Sequence, residues 1–309
     1  MVNAGTTGRA RWLKRILWAL VGLALVIVGT LGTGHMLAER KRQRHIDVAV
    51  SDVPARSDAA SVARGAYLYA SRGCTDCHGA DGAGKLFIDE PNGLRVRGAN
   101  ITPAAGSAVA TYQGVDWVRT IRHGVKPDGR PALVMPSEDY NRFTDDDLAA
   151  LVAYLRQLPA RAGPAAEVRM PLIVELLYAF GMVPDAAERI DHTLPPSQPV
   201  AEAVTPEHGA YVATMCIGCH GPQFSGGRIP GSPPDWPAAA NLTPGEGSAM
   251  LRYATAEQFR AMLASGQRPD GAAISGVMPF TSLRAMNQID ADALYLYLRQ
   301  LPPVASGSR

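Results

Sequence analysis

At 309 residues, with 47% hydrophobic and 19% charged side chains, the chain is long enough for two domains with ordinary cores. The net charge is +2, but residues 1–45 carry a local +7 (Arg9, Arg11, Lys14, Arg15, Arg40, Lys41, Arg42 and Arg44 against Glu39), which leaves the remainder at −5. That acidic body lacks the basic stripe of a nucleic-acid binder, so no nucleic-acid partner is expected.

Residues 1–15 read as a cytoplasmic tail and 16–38 as a transmembrane anchor. Ile16 to Gly34 holds no charge, and its 19 residues at about 1.5 Å each span roughly 28 Å, close to a bilayer core. A cleaved signal peptide is the competing reading, but its apolar region would be longer than the usual run of about 7–15 residues. Basic residues flank the span on both sides, so charge alone leaves its orientation open. Residues 39–60, charged and then rich in Ser, Asp, Ala and Pro, read as a tether.

Beyond the tether the chain repeats itself. Gly65-Ala66-Tyr67 answers to Gly209-Ala210-Tyr211, Asn100-Ile101-Thr102-Pro103 to Asn241-Leu242-Thr243-Pro244, and Tyr154 to Pro159 to Tyr297 to Pro302. Order and spacing agree, which implies duplication of a whole domain, over 61–160 and 205–303, with 304–309 as a tail. Each copy reads as helical. Thr144 caps a closing helix that presents Leu148, Leu151, Leu155 and Leu158, and the second copy repeats that face with Ile289, Ala293, Leu294, Leu298 and Leu301. Thr255 with Gln258 has the form of a capping box, and no run alternates long enough to demand a sheet. The segment 161–204 contains a 13-residue apolar stretch, Met170 to Met182, too short to cross a bilayer. It reads as a helix packed between the domains or onto a partner, with an interfacial position as the alternative.

All four cysteines lie in two copies of one motif, Cys74-Thr75-Asp76-Cys77-His78 and Cys216-Ile217-Gly218-Cys219-His220. C-x-x-C-H is the spacing of covalent haem c attachment: two thiols one helical turn apart form thioethers to one haem, and the next residue reaches the iron. A redox dithiol or half of a zinc site is the bland alternative, and the duplication argues against both. Cys74, Cys77, Cys216 and Cys219 are therefore the expected attachment residues for two haems, with His78 and His220 as the first axial ligands.

The other axial position needs a partner in each copy. Met135-Pro136 lies 57 residues after His78 and Met278-Pro279 lies 58 after His220, and this equivalence marks Met135 and Met278 as the sixth ligands. Met262 and Met286 have no counterparts and read as core. With both axial positions filled, the iron moves electrons and does no bond chemistry. An electron carrier is thus expected rather than an enzyme, the alternative being a di-haem peroxidase-like enzyme with one open haem site. The Gly-Ala-Tyr triplets suggest a close helix crossing with Tyr67 or Tyr211 near Tyr154 or Tyr297. The Asn-x-Thr-Pro segments read either as turns or as donors to the haem edge, and Arg95 and Arg97 are weak candidates for propionate pairing. His35, His45, His123, His192 and His208 read as ordinary surface or core histidines.

The run Asn100 to Pro103, Trp117 to Gly124, Asp128-Gly129, Met135-Pro136, Thr144 to Leu148 and Tyr154 to Pro159 resembles the haem domains of multihaem cytochrome c subunits that serve bacterial alcohol, aldehyde and gluconate dehydrogenase complexes. The resemblance implies an all-α chain of two tandem class I cytochrome c domains preceded by one transmembrane helix. It implies His78/Met135 and His220/Met278 ligation, a dehydrogenase donor, and an oxidase or quinone-linked acceptor. Haem attachment in that family takes place outside the bacterial inner membrane, so a single-pass inner-membrane protein with its haem domains in the periplasm is expected. Those subunits commonly hold three haem domains and a carboxy-terminal anchor, whereas here two domains follow an amino-terminal span.

Overall fold

The computed structural model describes residues 5–308, with side chains from residue 9 onward. Of the expected tails, residues 1–4 and Arg309 lie outside the described residues. The chain is mostly helical. Helix α1 (Gly5–Arg42) contains the apolar span and continues beyond it on both sides. Its spanning window, with a mean hydropathy of 2.3, is not buried by the protein, and Arg40, Lys41 and Arg42 complement the negative end of the helix dipole.

The first half contains α2 (Ala59–Ser71), α3 (Cys74–His78), β1 (Leu86–Asp89), β2 (Arg95–Arg97), α4 (Gly114–His123), α5 (Ser137–Tyr140) and α6 (Asp145–Gln157). Asp58 caps α2 by accepting from Ser61 N, and Thr144 caps α6 by accepting from Asp147 N. The two helices cross at Gly65, where an added Cβ would fall 2.0 Å from Ala150 O. This contact is the packing reason for the Gly-Ala-Tyr triplet. Leu68, Tyr69, Trp117, Ile121, Phe143, Leu148, Leu151 and Leu155 fill the first core.

A connecting stretch follows with β3 (Glu167–Arg169), α7 (Leu172–Ala179) and α8 (Ala186–Arg189). The second half then repeats the first with α9 (Pro206–Ala213), α10 (Ile217–His220), α11 (Ala256–Ser265), α12 (Phe280–Leu283) and α13 (Gln288–Gln300). Here α9 and α13 cross at Gly209, with a Cβ position 2.1 Å from Ala293 O. Its core gathers Val212, Phe224, Met250, Phe259, Met262, Leu263, Leu294 and Leu298.

Several expectations are corrected. A small antiparallel sheet of order β1-β2-β3 joins the first half to the connecting stretch, with Arg95 paired to Asp89 and Glu167. Its strands are three or four residues long, so alternation had no length in which to show. Arg95 is therefore spent within the sheet. The stretch read as a tether lies along the first half: Ile46 N donates to Gly129 O, and Val48 and Val53 are buried. Ile289 is exposed and does not share the buried face of α13. Tyr67 and Tyr211 do not meet Tyr154 and Tyr297. The ring against Tyr154 is Tyr69, at 5.4 Å, and Phe224 meets Tyr297 at 5.9 Å.

Candidate haem sites

Each C-x-x-C-H motif forms a short helix ending on a glycine with positive φ, Gly79 and Gly221, whose N–H donates to Thr75 O and Ile217 O respectively. The loop that follows returns to fasten the motif. Gly84 N donates to His78 O and Gly226 N to His220 O, both at 2.9 Å. Gly98 lies so close that a Cβ would sit 2.0 Å from Cys77 O.

The histidine rings are oriented identically in the two halves. His78 Nδ1 lies 2.8 Å from Ala99 O, and His220 Nδ1 lies 2.7 Å from Ala240 O. A carbonyl only accepts, so Nδ1 carries the proton and Nε2 keeps its lone pair for a metal. Burial holds the His78 imidazole below its ordinary pKa, partly opposed by the Ala99 bond, so the ring is neutral as a ligand must be.

Both methionines sit in one local geometry. Pro136 has φ −79° and ψ 61°, Pro279 φ −79° and ψ 66°. Ser137 N donates to Met135 O and Phe280 N to Met278 O, each at 2.8 Å, closing an inverse γ-turn. Met135 and Cys74 pack against the first core, and Met278 and Cys216 against the second. Met262 is buried and Met286 packs against the second core, as expected; Met250, which the repeat comparison passed over, is fully buried there too.

The thiols do not suit redox chemistry. Burial, reinforced by Cys77, pushes Cys74 up to about 12; burial and Asp76 push Cys77 up to about 11; burial and Asp139 push Cys216 up to about 12. Reactive dithiols need the opposite shift. None of the four cysteines is in a disulfide, and among the described residues no group of three or more His, Cys, Asp or Glu could hold a metal ion. A zinc site would need such a group, whereas a haem needs two thiols, one imidazole and a thioether. The residues present fit haem. A cleft lined by Pro103, Val109, Tyr112, Trp117 and Leu155 adjoins the same core as Cys74 and Met135, and the Trp117 indole N–H is buried with no partner among the described residues.

The Asn-x-Thr-Pro segments are turns. Asn100 Oδ1 accepts from Thr102 N and Oγ1, and Asn241 Oδ1 from Thr243 N and Oγ1. Their amide groups donate to Arg161 O and Val304 O, clipping the chain just beyond each closing helix.

The two halves dock reciprocally. Tyr67 of α2 donates to Asp290 of α13 at 2.5 Å and accepts from Asn287 N, while Tyr211 of α9 donates to Asp147 of α6 at 2.7 Å and accepts from Thr144 N. Each tyrosine thus meets the amino terminus of the other half's closing helix. Inside each half a basic residue binds the same carboxylate: Arg64 reaches Asp147 at 2.8 Å and His208 reaches Asp290 at 2.7 Å. Arg72, 3% exposed, adds its guanidinium on Asp290. A sequence signal for this cluster existed, because Arg64 and His208 both precede the Gly-Ala-Tyr triplet and Asp147 and Asp290 both stand three places after an N-cap.

The motifs take part in the same docking. Asp139, four residues after Met135, accepts from Gly218 N of the second motif at 2.7 Å. Ser282, four residues after Met278, donates to Asp76 of the first motif at 2.6 Å. Each C-x-x-C-H helix therefore rests against the methionine-bearing loop of the opposite half.

Residues 60–155 match the family of cytochrome c oxidase, cbb3-type, subunit III. The chain is 31% identical over 136 residues to the fructose dehydrogenase cytochrome subunit of Gluconobacter japonicus, covering 42% of this chain and 28% of that one. It is 25% identical over 279 residues to the cytochrome c subunit of the quinone alcohol dehydrogenase of Gluconobacter oxydans, covering 81% of this chain and 57% of that one. It is also 36% identical over 102 residues to the gluconate 2-dehydrogenase cytochrome c subunit of Pantoea cypripedii, covering 31% and 22%. The chain thus spans from about a fifth to little more than half of these relatives. Residues 60–155 thus match a cytochrome c family model, and the chain is similar to the cytochrome subunits of fructose, alcohol and gluconate dehydrogenases.

Proposed function

We propose that the chain carries two covalent haem c groups in two tandem class I cytochrome c domains and serves as a membrane-anchored electron-transfer subunit. Cys74 and Cys77 hold one haem, with His78 and Met135 on its iron. Cys216 and Cys219 hold the other, with His220 and Met278. The observation that carries the reading is the duplicated pair of ligand devices: a histidine fixed through Nδ1 to a backbone carbonyl, and a methionine set by a Met-Pro turn beside the same core.

Bound haem supplies a one-electron iron centre. The protein does the rest. Ala99 and Ala240 fix the imidazole tautomer, and the Trp117 N–H is a donor available to a propionate. The docking of each motif on the opposite methionine loop brings the two centres together, which suits passage of electrons through the chain. By likeness to its relatives, the chain takes electrons from a dehydrogenase and delivers them to an oxidase or a quinone-linked acceptor, with α1 in the inner membrane and the haem domains in the periplasm.

The test is to produce the full chain in a host that attaches haem c, then count haems by protein mass and by the alkaline pyridine spectrum. Two haems with a low-spin oxidised spectrum are expected. A single haem, or a high-spin centre that binds cyanide and turns over peroxide, would overturn the reading.

A further inference from the structure

Helix α7, expected between the domains or on a partner with an interfacial position as the alternative, docks on α1 where the apolar span ends. Gly34 and Ala38, one turn apart on α1, are both buried and form its seat, and a Cβ on Gly34 would lie 2.0 Å from Leu176 Cδ2. Polar contacts hold the pair. Glu175 bridges His35 and Arg42 at 3.0 Å each, Lys41 Nζ donates to Tyr178 O at 2.9 Å, and Arg44 makes a two-pronged contact with Asp185 at 2.8 Å.

The side of α7 turned away from these contacts is apolar and exposed: Leu172 at 44% and Ile173 at 63%, followed by Phe180 at 64% and Met182 at 67%. Met36 and Leu37 of α1 are exposed too, at 66% and 38%. Leu176 meets α1 at Gly34, the last residue of the uncharged run, so a helix about 10 Å across seated there lies at the edge of the hydrocarbon.

We propose that α7 and the turn after it lie in the lipid interface, with Ile173, Phe180 and Met182 among the acyl chains and headgroups. The proposal rests on reading α1 as a membrane span. Continuity with that span chooses lipid as the occupant, because the exposed apolar residues of α7 adjoin α1 where the span ends. An amphipathic segment of this kind binds through buried apolar area. One consequence concerns the haem body. Asp185 opens α8, and Arg189 of α8 pairs with Glu138 of α5 at 2.7 Å, in the helix that follows Met135 and Pro136. The Met135 side of the first half is thereby held on the membrane side.

The experiment places a nitroxide at Ile173→Cys or Phe180→Cys in the full chain, reconstituted in vesicles of phosphatidylethanolamine and phosphatidylglycerol. Reference labels go on Val26→Cys in the span and on Leu251→Cys, an exposed site in the second half. Circular dichroism checks folding, and labelling of the parent chain sets the background. Collision with oxygen relative to a water-soluble nickel chelate should be several-fold higher at 173 and 180 than at 251. Water-like values at 173 and 180 with lipid-like values at 26 would overturn the inference and leave the anchor standing. Water-like values at all positions would overturn both. Dipolar broadening between labels, marking a second copy of the chain on this face, would also overturn it.

Discussion

The carboxylate of Asp290 is fully buried and serves three partners at once: Arg72, His208 and Tyr67. Replacing it with alanine leaves the Arg72 guanidinium, 2% exposed in its side chain, without its carboxylate and with the neutral Ser71 and Tyr67 side chains as partners. An uncompensated buried charge of this kind costs about 3–5 kcal/mol. Asp147 supplies the matched control, because it stands at the same repeat position, three residues after the N-cap of the same kind of helix, and meets Tyr211 as Asp290 meets Tyr67. Its cation differs: Arg64 is 25% exposed and keeps Glu202 at 3.1 Å as a second partner, so Asp147→Ala should cost about 1–2 kcal/mol. The loss of a first-turn carboxylate and of the tyrosine bond is common to both variants, leaving a difference of roughly 1–4 kcal/mol from the burial of Arg72 and the added His208 bond. Chemical denaturation in detergent, followed by circular dichroism, reads it as a much larger midpoint shift for Asp290→Ala. Burial raises the Asp290 pKa, but the Arg72 charge and the three hydrogen bonds outweigh it and leave the carboxyl below its usual value. Its contribution is therefore present above a pH of about 4 and lost as pH falls through the lowered folded value, so the gap between parent and variant should close in acid. Equal shifts for the two variants, or a gap that persists at low pH, would refute the reasoning.

Met135→Ala and Met278→Ala should each abolish one methionine–iron absorption band and lower one reduction potential while protein mass still reports both haems; unchanged spectra would remove that methionine from the ligand set. Cys74→Ala with Cys77→Ala should leave one covalent haem by mass. Gly65→Ala or Gly209→Ala forces a Cβ to about 2 Å from a carbonyl oxygen, and overpacking at such a crossing should cost about 1–3 kcal/mol in denaturation, more than any helix-propensity gain. His123 stacks on His192 with their Nδ1 atoms 3.1 Å apart, and burial, followed by the His192 charge, lowers its pKa to about 4. A base with a depressed folded pKa stabilises the fold above its unfolded value near 6.5 and loses that contribution as pH falls toward 4. Parent stability should drop by about 2 kcal/mol over that window, and His123→Gln should flatten the drop.

The local chemistry was legible because it is local. Cys74 to His78, Met135-Pro136 and their repeats are spacings along a chain, and covalent geometry fixes what two thiols and an imidazole at those spacings reach. The caps at Thr144 and Thr255 and the glycine crossings were legible for the same reason, since each depends on residues within a turn or on a duplicated small residue. Relations between distant elements were not. The repeats look alike whether or not the halves touch, so nothing in Gly-Ala-Tyr said that Tyr67 and Tyr211 would leave their own halves for Asp290 and Asp147. Nor did it say that Asp139 and Asp76 would meet the opposite half across the interface. His208 read as an ordinary histidine because its partner lies 82 residues away. The apolar run in 170–182 gave hydrophobicity without an address, and only the seat at Gly34 and Ala38 placed it beside the span. Sequence alone determined which residues recur at haem-binding spacing and which stretch is apolar enough to cross a bilayer. Tertiary structure decided how the two halves face each other and where α7 sits on α1, because side-chain packing and buried charge pairing act through space and leave no period in the chain.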